Sequence, residues 1–390
     1  MTSVKYFHSA MTDAPVLNGT AGSLIGVLDA CLVNGFSLRT VDSLTVAANV
    51  ATANISAGHG YEPDTIVLIA GATPAGLNGE KRVLSATTNT ITFAAPGIAD
   101  TTATGAINAR LAPAGWEKPF SGTNLAVYRS ANVAGTREFL RVDDTGTTDA
   151  RVVGYESMTD VNTGTGPFPT NTQRSGGLWW PKASAAAGVA RAWTVIADDR
   201  AFYVFVNTST NGAGVMPNSY GWVFGDFNSA KSGDAFGCYI TGHSASAGAI
   251  TSSLGSGISY SGTSANEGFV ARAFTAIGGS LQIIRQIEYP NTNNTHPGAV
   301  GLFTYPNGPD NGLYLAPAFL YEGSTGNRGR LRGLLYPCHT LADTTFNWRD
   351  KIDGQGAYAG RKLLAVKSIG VPNTAAATAA TIFFDITGPW

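Results

Sequence analysis

Charge is scarce in this sequence. Asp, Glu, Lys and Arg together supply 13% of the residues, about half of the ~25% usual in a soluble domain. With 25 basic against 26 acidic side chains the formal net charge is −1, which leaves no field to draw in nucleic acid or an anionic membrane. Cysteine is scarce too. Cys31, Cys238 and Cys338 are odd in number, far apart and free of any C-x-x-C spacing, so they read as buried thiols in a reducing compartment. No apolar run approaches the ~18–20 residues of a membrane span. The stretch Met1–His8 lacks the apolar core of about 7–15 residues that a signal peptide needs, so folding in the cytoplasm is expected. Phosphate-binding loops, G-x-G-x-x-G, H-E-x-x-H and repeats of roughly 20–50 residues are all missing, and no cofactor is expected.

What is present points to β structure. Hydrophobic residues make up 44% of the chain, and 48 Gly accompany abundant Ser, Thr, Asn and Ala, a balance suited to short strands and tight turns. The 14 Tyr, 18 Phe and 7 Trp argue against disorder. A length of 390 residues exceeds the roughly 250–300 over which one core keeps growing, so two units are expected. A surface with so few charges suits burial against neighbouring copies.

Within Gly19–Gly35, the residues Leu24, Ile25, Leu28, Cys31 and Leu32 fall on one face at helical spacing. Thr20 or Ser23 is the expected N-cap and Asn34-Gly35 the stop. From Leu44 to Leu111 the pattern changes to short strands: Leu44–Val46, Val50–Ile55, Thr65–Ala70, Lys81–Ser85, Thr90–Ala94 and Ala106–Leu111. Asn78-Gly79 reads as a hairpin turn. This segment is expected to be a small inserted barrel or sandwich. Beyond Pro113, the pairs Arg137–Asp143 with Arg151–Glu156 and Ala192–Ala197 with Ala201–Val206 read as hairpins. Phe202–Val206 is apolar on both faces and hence a doubly covered central strand. Gly221–Phe224, Phe236–Ile240, Phe269–Ala273, Leu281–Gln286, Leu313–Pro317, Arg330–Leu335, Lys362–Ile369 and Thr381–Ile386 follow as strands, with loops at Ser209–Asn218, Ser244–Asn266 and Pro290–Asn311. The expected fold is mainly β: a jelly-roll-like β-sandwich core with a short N-terminal helix and an inserted small β module. Residues 1–39 belong with the core, 40–112 form the insert, and 113–390 the main unit.

Few constellations carry chemistry. Gly242-His-Ser-Ala-Ser246 resembles a nucleophile elbow around Ser244, without the final Gly or a following helix. Asp143-Asp144 and Asp198-Asp199 are carboxylate pairs of a kind used by glycosidases or calcium sites, but both sit at hairpin ends, where Asp bonds its own backbone. Cys338-His339, even with His296 or His59, gives no metal spacing. No catalytic residue and no metal ligand is assigned. The candidate interface or glycan contacts are Arg328, Arg330 and Arg332, at a spacing that places them on one strand face, and Trp179-Trp180. For the arginines the alternative is a charged edge that discourages sheet-to-sheet pairing; for the tryptophans it is the core.

Several stretches resemble a group of tailed-bacteriophage and prophage virion proteins associated with the tail or baseplate. They are Val16–Ile25 with the helix after it, Gly115–Arg129, Leu140–Thr145, Trp193–Arg200, Phe224-Gly-Asp-Phe-Asn228 and Phe384–Trp390. Gly58-His-Gly60 with Ile69–Gly79 is similar to small β modules that decorate phage tail proteins. The resemblance implies that the Gly-Phe after the first helix connects almost directly to Ala114-Gly-Trp116, as an insertion requires. It also implies a non-catalytic structural role in the virion, with other copies and other tail or baseplate proteins as partners. A host-surface glycan or protein is the partner under the alternative reading of a tip adhesin, and a glycan depolymerase is a third.

Overall fold

The computed structural model describes residues 3–210, 212–214, 216, 219–246, 266–287, 303–323, 326–342, 344–368 and 380–390. Within these, three large sheets of thirteen, seven and eight strands carry the molecule, and one short helix stands near the front. The chain is mainly β, as its composition implies.

The thirteen-stranded sheet begins at Lys5–His8, which pairs with Trp193–Ala197, and its main path ends at Trp116–Gly122. The two ends are far apart along the sheet but close in space. The Trp116 ring meets Phe202 edge-on at 5.1 Å, and its indole N–H donates to the Asp198 carbonyl at 2.9 Å. The sheet therefore curls on itself, the accumulated strand twist closing it into a half-barrel. The strand Ala201–Val206 runs through this curl with all six residues buried. Phe202 faces inward to Trp116, Trp180 and Phe224. Tyr203 and Phe205, on the opposite face by the period of two, pack on Phe384 at 4.8 and 5.6 Å. Phe384 belongs to Ala380–Asp385 in the seven-stranded sheet, so the two sheets share a core and make the sandwich.

The helix spans Ser23–Leu28 and continues as a wider π turn over Asp29–Asn34, ending at Gly35. Leu24, Leu28, Cys31 and Leu32 are buried, as the spacing implies, but Ile25 is only half-buried and Val27 fills the core in its place. The expected cap is corrected. Neither Thr20 nor Ser23 serves the helix N-terminus: both hydroxyls turn to Asn18. The carboxylate of Asp144, 120 residues away, accepts the Leu24 and Ile25 N–H groups at 2.8 and 3.2 Å. A long-range acceptor leaves no local signature, which is why spacing alone assigned the wrong side chain.

Residues 36–111 form the eight-stranded sheet, whose strands pair only with one another. The chain enters at Gly35, with φ +71°; any Cβ there would lie 2.3 Å from the Leu111 carbonyl oxygen, so only glycine fits. It returns beside its point of departure, where the Ala114 N–H donates to Cys31 and the Gly115 N–H to Leu32, at 2.9 and 3.2 Å. The strand Phe36–Thr40 precedes the expected start at residue 40. Asn78-Gly79 is not a two-residue hairpin. Asn78 closes a 3₁₀ turn, Ala75–Leu77, and its carboxamide bridges the N–H and C=O of Ala72 at 2.8 and 2.7 Å. The loops expected at Ser244–Asn266 and Pro290–Asn311, with His296, lie largely outside the described residues, while six of the ten positions of Ser209–Asn218 are described and none of them is in a strand or helix. Among the described residues no helix is long and apolar enough to cross a membrane.

Candidate functional site

The densest chemistry gathers where the half-barrel hands the chain to the second sheet. The turn Asp198-Asp199-Arg200 joins Trp193–Ala197 to Ala201–Val206. One oxygen of Asp198 accepts the N–H groups of Arg200 and Ala201, both at 2.8 Å, leaving the other for the Arg332 guanidinium at 2.5 Å. Arg200 reaches Asp226 at 2.7 Å, and Asp226 also accepts the Thr136 hydroxyl at 2.6 Å. Asp226 ends the strand Tyr220–Asp226; the next residues, Asn228–Ser229, pair with the second sheet, Asn228 facing Arg330. These elements enclose a cleft of about 480 Å³, with Thr136, Arg200, Asn228, Lys231, Asp234 and Arg332 on its walls.

Behind one wall Arg328 forms a two-pronged pair with Asp234, at 2.9 and 3.0 Å. It also bonds Glu322 and the carbonyls of Arg272 and Phe236. Burial works to raise the Asp234 carboxyl, but the Arg328 and Ser229 hydrogen bonds outweigh it and hold the group below the usual carboxylate range. Asp199 goes the other way. Burial and then the charge of Asp198 push it up, against one hydrogen bond from the Asn132 amide at 2.9 Å. Asp199 faces a second cleft, of about 500 Å³, beside Ser3, Lys5, Glu80 and Asn132. Glu138 is buried with no N–H or O–H donor on either oxygen, and only the Cys238 thiol lies against it. Burial, then Asp226, Glu156 and Asp234, raise its carboxyl well above the ordinary value, which favours the protonated form.

The residues singled out from sequence are only partly brought together. The arginine stripe is split: Arg328 and Arg332 are buried and Arg330 is exposed. The cause is a register slip on each side of Arg330, where Leu320 and Tyr321 face Gly329 and Asn327, and Pro317 and Phe319 face Leu335 and Arg330. Such bulges re-aim side chains that a regular strand would align. The two tryptophans occupy opposite faces of Leu178–Pro181. Trp180 is wholly buried, its indole N–H donating to Thr241 at 2.6 Å. Trp179 is half-buried beneath the Arg151 guanidinium, 3.8 Å from the ring centre.

The remaining groups have internal tasks. Asp143 closes its own turn through the Thr145 hydroxyl at 2.7 Å. Asp144 caps the helix and pairs with Lys182, both side chains fully buried. The His243 ring nitrogen beside Ser244 accepts the Ala245 N–H at 2.9 Å. His339 accepts the Tyr314 N–H at 2.7 Å. Burial pushes up all three thiols, that of Cys338 to about 11. No cluster of metal-ligating side chains occurs among the described residues. Sequence reasoning missed Asp226, Asp234, Lys182 and Glu138, since each acquires its role from a partner distant in the chain. No protein-family model matches the chain, and no curated protein matches it either.

Proposed function

We propose that this chain is a non-catalytic structural component of a tailed-bacteriophage particle, in the tail or baseplate, assembling with copies of itself and with other tail proteins. It is made in the host cytoplasm and ends in the virion. The observation that carries the reading is what the stretches resembling virion proteins do inside the fold. Asp144, in Leu140–Thr145, caps the helix that begins at Ser23 within Val16–Ile25. Trp116, in Gly115–Arg129, bonds Asp198 of Trp193–Arg200. Phe384 and Trp390 both pack on Tyr203. Their side chains hold elements to one another, which favours a scaffold over a reaction centre. In the same direction, Asp143, Asp144 and Asp198 already bond turns, a helix end or a cation. A hydrolytic carboxylate pair has to face a substrate across a gap of roughly 5–9 Å instead.

A second reading, host-surface recognition at the tail tip, is favoured by the Trp179–Arg151 stack and by the polar cleft. The test is the mass of the purified chain by light scattering across concentrations, with a parallel incubation on host polysaccharide. A closed oligomer and no turnover support the structural reading. Release of reducing ends would replace it with a depolymerase.

A further inference from the structure

We propose that the inserted sheet, residues 36–111, is an acid-released module that undocks from the sandwich as a unit when His8, at their contact, takes up a proton. The inference does not depend on a place in a phage particle. The strands of the insert pair only with one another, so side chains carry the bonds between the two parts. Charged groups of opposite sign face each other across the contact. Lys5 meets Glu80 at 2.8 Å, His8 meets Glu62 at 3.1 Å and Lys351 stands 3.8 Å from Asp64. The Tyr6 hydroxyl and the Lys351 ammonium both donate to the Pro63 carbonyl, at 3.0 and 2.6 Å. Arg82 donates to the Ile386 and Thr387 carbonyls at 2.9 and 3.0 Å. Nearer the neck at Gly35, Arg39 meets Asp13 at 2.7 Å, and the Phe36 and Phe7 rings pack at 5.7 Å.

His8 makes this contact sensitive to pH in the range where imidazoles titrate. Its ring is wholly buried, edge-on to Trp348 at 5.6 Å and 6.4 Å from the Tyr6 ring. Nε2 lies beside the Glu62 carboxylate, and Nδ1 has no hydrogen-bond partner. An imidazolium carries two N–H donors, so protonation in the docked state leaves one donor buried without an acceptor. Charge opposes it as well, since Arg349 and Lys351 set two like charges against the one carboxylate of Glu62. Burial first, then these cations, outweigh the pull of Glu62 and hold the imidazole below its ordinary value. Burial works to raise Glu62, but His8, Lys351 and Arg349 outweigh it and hold that carboxyl below its ordinary range. Both groups return to ordinary values on release, so undocking takes up protons. Docking is therefore fully favoured above ~6.5, weakens through His8 as pH falls below that, and weakens further through Glu62 below ~4.3. Release strips Glu80, Pro63 and Glu62 from Lys5, Tyr6 and His8, which lie in the edge strand of the thirteen-stranded sheet.

The test is hydroxyl-radical footprinting of the full chain at pH 7.5, 6.5 and 5.5, read by mass spectrometry. Tyr6 reports the contact, Phe93 the core of the insert and Phe202 the core of the sandwich; all three are buried. Labelling of Tyr6 is expected to rise by about tenfold between pH 6.5 and 5.5, the effect of one proton over one pH unit. Phe93 and Phe202 should stay protected, because the module leaves folded. His8→Gln, which cannot titrate, should abolish the rise at Tyr6 with Phe93 and Phe202 still protected. Unchanged labelling of Tyr6, or a rise shared by Phe93 and Phe202, overturns the proposal on the unaltered chain alone. A rise at Tyr6 that survives in His8→Gln overturns it too.

Discussion

The inserted sheet and the sandwich solve burial in different ways. In residues 36–111 the strands alternate, with Ser43–Ala47 and Val50–Asn54 each burying every second residue. Among the described residues, no charged side chain inside that segment is buried. The sandwich strands Ala201–Val206 and Tyr220–Asp226 are buried throughout. Around them Asp144–Lys182, Arg328–Asp234 and Arg332–Asp198 are ion pairs withdrawn from water. The insert is held by apolar burial on one face, whereas the sandwich uses paired charges at the seams where its sheets, helix and turns meet. Desolvating such pairs offsets most of their attraction, so their value lies in specifying which element meets which.

Five substitutions sharpen this contrast. The largest loss is expected for Asp144→Ala, about 3–5 kcal/mol by denaturant unfolding, because it strands the buried Lys182 ammonium and removes the helix cap. Adding Lys182→Met to that variant should recover at least half of the loss. A cost under about 1 kcal/mol, of the size measured for exposed pairs, would contradict the pairing. In the insert, Leu44→Ala should cost about 2–5 kcal/mol, with no dependence on pH, since Leu44 is buried in a segment without buried charge.

Glu138→Gln should instead stabilise, by about 1–3 kcal/mol at neutral pH. The sign follows from the raised folded-state value of Glu138. Folding takes up a proton there, a contribution fully present below the unfolded value of ~4.3 and lost as pH rises toward the folded one. The advantage of the Gln variant should therefore vanish near pH 4 and grow upward from it. A constant difference across pH would remove Glu138 as a neutral buried acid. The smallest effect is expected for Arg330→Ala, within about 0.5 kcal/mol, because Arg330 is exposed between its two buried neighbours.

Where local pattern decides structure, the sequence was legible. Thr90–Ala94 and Ala201–Val206 stand at their expected bounds, and Phe202–Val206 is covered on both faces as its unbroken apolar run implies. Trp179 and Trp180 were read together, as contacts or as core, without applying the period of two: strand neighbours point oppositely, so one is core and the other meets Arg151. What escaped depends on distant partners or on breaks in period. Phe36–Thr40 buries only Ser37 and carries an exposed Leu38, so it has no strand pattern to find. The arginine stripe assumed a regular strand, and two bulges dispersed it. Asp144 read as a turn residue because the helix it caps lies 120 positions earlier. The seam cleft drew Arg332, with Asp198 bonded to it, from the sequence reading, while Asp199 faces the second cleft. Arg200, Asp226, Asp234 and Lys231 joined them only through the meeting of the two sheets.

The central claim, a scaffold role in the particle, is tested most directly by adding the purified chain to tail particles assembled without it and measuring bound copies per particle. Uptake is expected to saturate at a fixed whole number of copies and to persist through dilution. Particles that take up none, while the free chain binds host cells, would contradict it and transfer the function to recognition.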